Sequence, residues 1–151
     1  NKSHGGEDMD FDSLIKMMND EYNLYKSLQT LFVKKKSALI NNDLKTLSIT
    51  DNNIIKILAT IKNRPKRKGF TNLIVIYPTH KSEIEEYQKE FKKILNNINL
   101  LNQETFELSK QGIKLADTKL KTMIRAGSQS QSYSKYGNFE QNAISTVVQE
   151  V

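Results

Sequence analysis

The chain has 151 residues, the size of one domain, with 37% hydrophobic and 26% charged residues, a formal charge of +6 and a pI near 9.4. With no cysteine it holds no disulfide, thiolate metal site or cysteine nucleophile, and six Gly and two Pro are too few turn formers for a many-stranded sandwich or barrel. No apolar run is long enough to span a membrane, and no apolar stretch follows a basic start, so no secretory signal is visible.

Residues 1–10 (NKSHGGEDMD) are polar and read as a mobile lead-in. From residue 11 to 40 the spacing predicts a helix. Leu14, Met18, Tyr25, Leu28, Phe32 and Leu39 form one apolar stripe, with Glu21 and Lys35 standing in its two gaps. Asp10 or Asp12 caps its start, and Lys34, Lys35 and Lys36 suit the negative end of its dipole. Asn41-Asn42-Asp43 is a turn signal, with Asp43 placed to cap a second helix over 43–63. That helix presents Leu44, Leu47, Ile54, Ile55, Leu58 and Ile61 on one face, and Asp51 is expected to interrupt or re-cap it. Arg64-Pro65 ends it, because a residue before proline avoids helical angles.

Residues 65–81 break the pattern. PKRKG reads as a loop, and Leu73–Tyr77 (LIVIY) is a β-favouring run closed by Pro78. A lone five-residue strand has nothing to pair with, so a packed loop or a short helical turn is expected. Residues 82–126 carry the strongest periodicity. Ile84, Tyr87, Phe91, Ile94, Ile98, Leu101, Thr105, Leu108, Gly112 and Leu115 keep a three–four spacing, the seam of a coiled-coil-like helix about 67 Å long. Ser82 with Glu85 reads as a capping box, and Gly127 as the stop. Residues 127–138 (GSQSQSYSKYGN) form a polar linker, and 139–151 (FEQNAISTVVQEV) a short, weakly amphipathic tail. The expected fold is all-α: an antiparallel three-helix bundle over 11–126, with one long helix overhanging two shorter ones and a flexible C-terminal tail over 127–151.

Chemistry is scarce. Asp8, Asp10 and Asp12 open like a calcium loop, but Ser13 and Asn19 stand where that loop needs Gly and Glu. His4 and His80 are the only histidines, so a metal site needs long-range pairing and none is expected. No phosphate-binding loop, nucleophile elbow or zinc-protease motif occurs. Glu83, Glu85, Glu86 and Glu90 read as a solvated helix face, with Glu85 spaced to pair with Lys89. Tyr22, Tyr25 and Tyr87 read as core edges. The basic run Lys62–Lys68 is the best nucleic-acid candidate, but it lacks interleaved aromatics and reads better as a solvated loop. Lys, Asn and Ile make up 20, 15 and 15 residues, a bias that A/T-rich codon usage produces without a nucleic-acid partner. Asn96, Asn97, Asn99 and Asn102 are unusual on a helix, and one buried Asn there would fix register. No enzyme and no cofactor is expected.

The order of these features resembles the FlgN family of flagellar export chaperones. The resemblance rests on Leu14-Ile15, Glu21, Tyr25, Leu28, Lys34–Lys36 and Ala38–Ile40 in the first helix, and Asn42-Asp43 with Leu44 and Leu47 after it. The long helix adds Leu95, Asn96-Asn97, Asn99, Asn102 and Leu108, and the tail adds Tyr133, Tyr136 and Gly137. It implies a cytoplasmic helical protein that binds the C-terminal ends of hook–filament junction proteins (FlgK- and FlgL-like) and brings them to the flagellar type III export apparatus. Carried onto this chain, it makes Tyr133, Tyr136, Phe139, Ile144, Val147, Val148 and Val151 the candidate client-binding residues. The stretch from Pro65 to Pro78 has no matching counterpart. A structural coiled-coil adaptor or self-associating bundle, a homodimer without export role, is the competing reading.

Overall fold

A computed structural model of the chain describes residues 9–122, with side-chain surroundings through residue 112. It contains α1 (Phe11–Ile40), α2 (Leu44–Asn63), α3 (Phe70–Ile76), a 3-10 turn (Pro78–His80) and α4 (Lys81–Thr122), with no strand among the described residues. The all-α bundle expected from periodicity is what forms. The two predicted carboxylate caps also form. Asp10 accepts from the Ser13 amide at 2.7 Å, and Asp43 accepts from the Thr46 amide at 3.1 Å and its hydroxyl at 2.7 Å. These bonds hold both carboxyls below their ordinary value, Asp10 chiefly through the Ser13 amide and Asp43 chiefly through the Thr46 hydroxyl. Between α1 and α2, Asn42 takes the left-handed conformation at φ 55°, which Asn tolerates better than most side chains.

α1 is the central element: α2 and α4 both lie along it, while α2 and α4 make no close backbone approach to each other among the described residues. α2 returns antiparallel, so Lys35 near the end of α1 meets Asp51, and Arg64 beyond the end of α2 reaches back to the Met17 carbonyl. α4 runs parallel to α1. Four contacts fix this: Tyr77 with the Met9 carbonyl, Tyr87 with Asn19, Asn97 with Gln29, and Lys36 with Glu104, all 68 residues apart in sequence. A constant difference marks a parallel pair; an antiparallel pair holds the sum constant. In this register the end of α1 lies level with Leu108, and α4 continues to Thr122, about 21 Å beyond the bundle.

Some local expectations hold and others are corrected. The β-favouring run Leu73–Tyr77 takes the short helical form that was one of its two expected outcomes, because Phe70 and Leu73, one helical step apart, are buried and tertiary packing overrides propensity. Pro78 closes that run, Tyr77 before it being non-helical, and also opens the next element. It occupies the first position of the 3-10 turn that leads directly into α4, where its missing N–H costs nothing. Ser82 therefore lies inside the helix and forms no capping box. Asp51 neither breaks nor caps α2. It sits mid-helix, 8% exposed, and pairs with Lys35 at 3.0 Å. The Lys34–Lys36 run does not serve the α1 dipole: Lys35 is 3% exposed in that pair, and Lys36 crosses to Glu104 at 3.1 Å. The two polar gaps in the α1 stripe, Glu21 and Lys35, are thus the sites of ion pairs to other segments, Glu21 with Arg67 of the α2–α3 connection and Lys35 with Asp51 of α2.

Burial pushes the Asp51 carboxyl above its ordinary value, and the Lys35 charge pulls it back. A raised folded-state value means that ionised Asp51 opposes folding as pH rises through it, and the pairing with Lys35 offsets that cost. Lys35→Met should destabilise the chain by about 3 kcal/mol at neutral pH by removing the charge that offsets the burial of ionised Asp51, and the loss should shrink as pH falls and Asp51 is protonated. Lys35→Met with Asp51→Leu should recover most of it; thermal melts at pH 7 and pH 4 check both, and a double variant no better than the single one would refute this account.

Candidate functional site

The α1–α4 seam is the longest interface of the described chain, and its chemistry changes along its length. At the start of α4, the Phe11 ring stacks on His80 with centroids 3.6 Å apart, and His80 Nδ1 lies 2.9 Å from Glu83. Next comes an aromatic knot around Phe91, with Tyr22 at 5.5 Å, Tyr25 edge-on at 5.6 Å and Phe70 edge-on at 5.2 Å. Arg67 locks it. Its guanidinium lies 4.3 Å from the Phe70 centroid and donates to both Glu21 oxygens, at 2.9 and 3.2 Å. Tyr25 donates to the same carboxylate at 2.8 Å.

Further along, Ile84, Phe91, Ile94, Ile98 and Leu101 are buried, while Tyr87 and Leu108 are half-buried. Then the apolar seam gives way to Asn102, Thr105 and Ser109, all buried. The Thr105 hydroxyl donates to the Asn102 carbonyl and the Ser109 hydroxyl to the Thr105 carbonyl, while the Asn102 side-chain nitrogen has no protein partner among the described residues. Asn102 is therefore the buried Asn of the cluster; Asn97 sits at the seam's edge, bonded to Gln29 at 2.7 Å.

The structure places the sequence-derived candidates as follows. Of the seam residues from Ile84 to Leu101, Ile84, Phe91, Ile94, Ile98 and Leu101 are buried inside the chain, and Tyr87 alone is half-buried. The Leu115 side chain lies outside the described residues, and so do all seven tail candidates: Tyr133, Tyr136, Phe139, Ile144, Val147, Val148 and Val151. The basic run is not a free patch. Arg67 is 7% exposed in its pair with Glu21, and Arg64 donates to the Met17 carbonyl at 3.1 Å. Sequence reading missed these anchors, although a charged residue inside an apolar stripe was their signal. Among the described residues no group of three His, Cys, Asp or Glu could hold a metal, and no helix is long and apolar enough to cross a membrane.

Among the described residues the chain is all-helical, and its longest helix, α4, projects past the end of α1. The FlgN protein family model matches residues 9–141, most of the chain, and the chain belongs to that family. The family is one of flagellar export chaperones, not of enzymes. No curated protein and no solved structure shows a significant match.

Two substitutions probe the seam. Arg67→Ala removes one partner of a nearly buried, bidentate pair and should cost about 3 kcal/mol, a fall of roughly 10 °C in Tm, whereas the exposed Lys62→Ala and Lys68→Ala should stay within about 0.5 kcal/mol. Asn102→Leu should stabilise by about 1 kcal/mol, because it removes an unsatisfied buried amide; a loss in thermal melts would mean that the amide has a partner after all.

Proposed function

We propose that this chain is a cytoplasmic export chaperone that holds C-terminal helical segments of hook–filament junction proteins (FlgK- and FlgL-like) soluble and delivers them to the flagellar type III export apparatus. Membership of the FlgN family is the observation that carries this reading. The geometry supports it. α4 runs parallel to α1 and outlasts it, so Thr122 stands at the end of the helix about 21 Å past the level of Ile40. Tyr133, Tyr136, Phe139, Ile144, Val147, Val148 and Val151 supply the apolar contacts in this proposal, as an amphipathic helix does when it binds another. The client's ordering cost limits affinity to roughly the micromolar or sub-micromolar range.

The self-associating coiled-coil reading loses its main support. It needs the Ile84–Leu115 seam between two copies, and the part of that seam from Ile84 to Leu101 is buried against α1 of the same chain.

Titration calorimetry with the C-terminal segment of a junction protein tests the proposal. The full chain should bind one to one with a negative heat-capacity change. Deleting 127–151 should abolish the heat and leave the helical circular-dichroism signal of the bundle in place. Full affinity in the deletion variant would remove the tail from the site, and no binding by the full chain would remove the client.

A further inference from the structure

At the end of α4 away from Thr122, residues of α1, α4 and the 3-10 turn line an open groove of about 600 Å³. Its apolar lining is Phe11, Ile15 and Tyr87, all half-buried. Its charged lining is Asp12, Glu83, Glu86 and Glu90, with no Lys or Arg, in a chain whose formal charge is +6. Among the described residues Glu83 is hydrogen-bonded to His80 Nδ1 at 2.9 Å, and none of the four is paired with a Lys or Arg. The α4 dipole explains an acid in the first turn, at Glu83, but its effect fades before Glu86 and Glu90. Glu83, Glu86 and Glu90 follow one another at i, i+3 and i+7 along one edge, where like charges repel.

We infer that this groove is a second docking site, and that its occupant is a cationic amphipathic helix of a partner protein. An apolar stripe on that helix would cover Phe11, Ile15 and Tyr87, and Lys or Arg three to four residues apart would face the carboxylate edge. Glu83 to Glu90 spans about 10 Å, which matches two turns of such a helix. The long-range attraction speeds encounter and excludes acidic helices. The site goes beyond the tail-mediated capture of clients, and its test is independent of it.

The probes are two synthetic helices of about 18 residues with the same leucine stripe, one flanked by Lys and one by Glu. They are titrated into the isotope-labelled full chain and followed by amide chemical shifts. The Lys peptide should move signals of residues 11–15 and 83–90, and its affinity should fall at least tenfold between about 50 and about 300 mM salt. Glu83→Gln, Glu86→Gln and Glu90→Gln together should weaken it at least tenfold, with an unchanged thermal melt. The Glu peptide should not bind. Equal binding of the two peptides, shifts centred on α2 or on the tail, undiminished binding to the triple variant, or no binding of the Lys peptide would each overturn the inference.

Discussion

The parallel seam between α1 and α4 is the constraint on which the rest of the molecule depends. Two parallel helices cannot be joined by a tight turn, so the chain must travel back along α1 before α4 can begin. α2 makes most of that return and is fixed to α1 by the buried Lys35–Asp51 pair. Residues 64–80 then carry the chain from the end of α2 to the start of α4. They stay in place because Arg64 and Arg67 reach across to α1 and Phe70 and Leu73 bury themselves. The guanidinium of Arg67 satisfies a carboxylate that interrupts the α1 stripe and at the same time stacks near Phe70, which packs on Phe91 of α4. One side chain thus joins α1, the connection and α4, and a loop that reads as solvated is a structural hinge pin.

The apolar stripes of α1 and α4 were legible because periodicity alone decides which face of a long helix is buried. The caps at Asp10 and Asp43 were legible for the same local reason. The direction of pairing was not, since an apolar stripe reads the same to a parallel and an antiparallel neighbour. What settles it is a set of polar edge contacts 68 residues apart, such as Asn97 with Gln29, and nothing local in sequence marks them. The ion pairs were half legible. Glu21 and Lys35 stood out as charges in an apolar stripe, but their partners lie on other elements and become visible only when the chain folds back. The run Leu73–Tyr77 shows the limit of propensity. Its β-branched residues favour a strand, and only the absence of a partner strand and the burial of Phe70 and Leu73 make it a helix.

The candidate site was legible in a different sense. No physical pattern in the tail distinguishes it from any polar linker followed by a short amphipathic segment. Its role is carried by likeness to a family, and the family match over 9–141 takes in Tyr133, Tyr136 and Phe139 but not Ile144, Val147, Val148 or Val151. The acid-lined groove shows the reverse. Three of its four carboxylates, Glu83, Glu86 and Glu90, read as a solvated helix face in sequence, because α1, which brings Phe11, Asp12 and Ile15 to the groove, comes next to α4 only in the folded chain.

The change from an apolar to a polar seam gives the molecule a direction. Around Phe91 the seam is aromatic and pinned by Arg67, whereas from Asn102 onward it is made of Asn, Thr and Ser, whose hydroxyls turn back onto their own helix. At this end the ion pair of Lys36 with Glu104, at 3.1 Å, crosses from α1 to α4 at the half-exposed edge of the seam. Glu86 and Thr122 are about 54 Å apart along α4. The parallel topology thus sets an aromatic stretch pinned by Arg67 and a polar stretch of Asn, Thr and Ser along one seam of a single continuous helix.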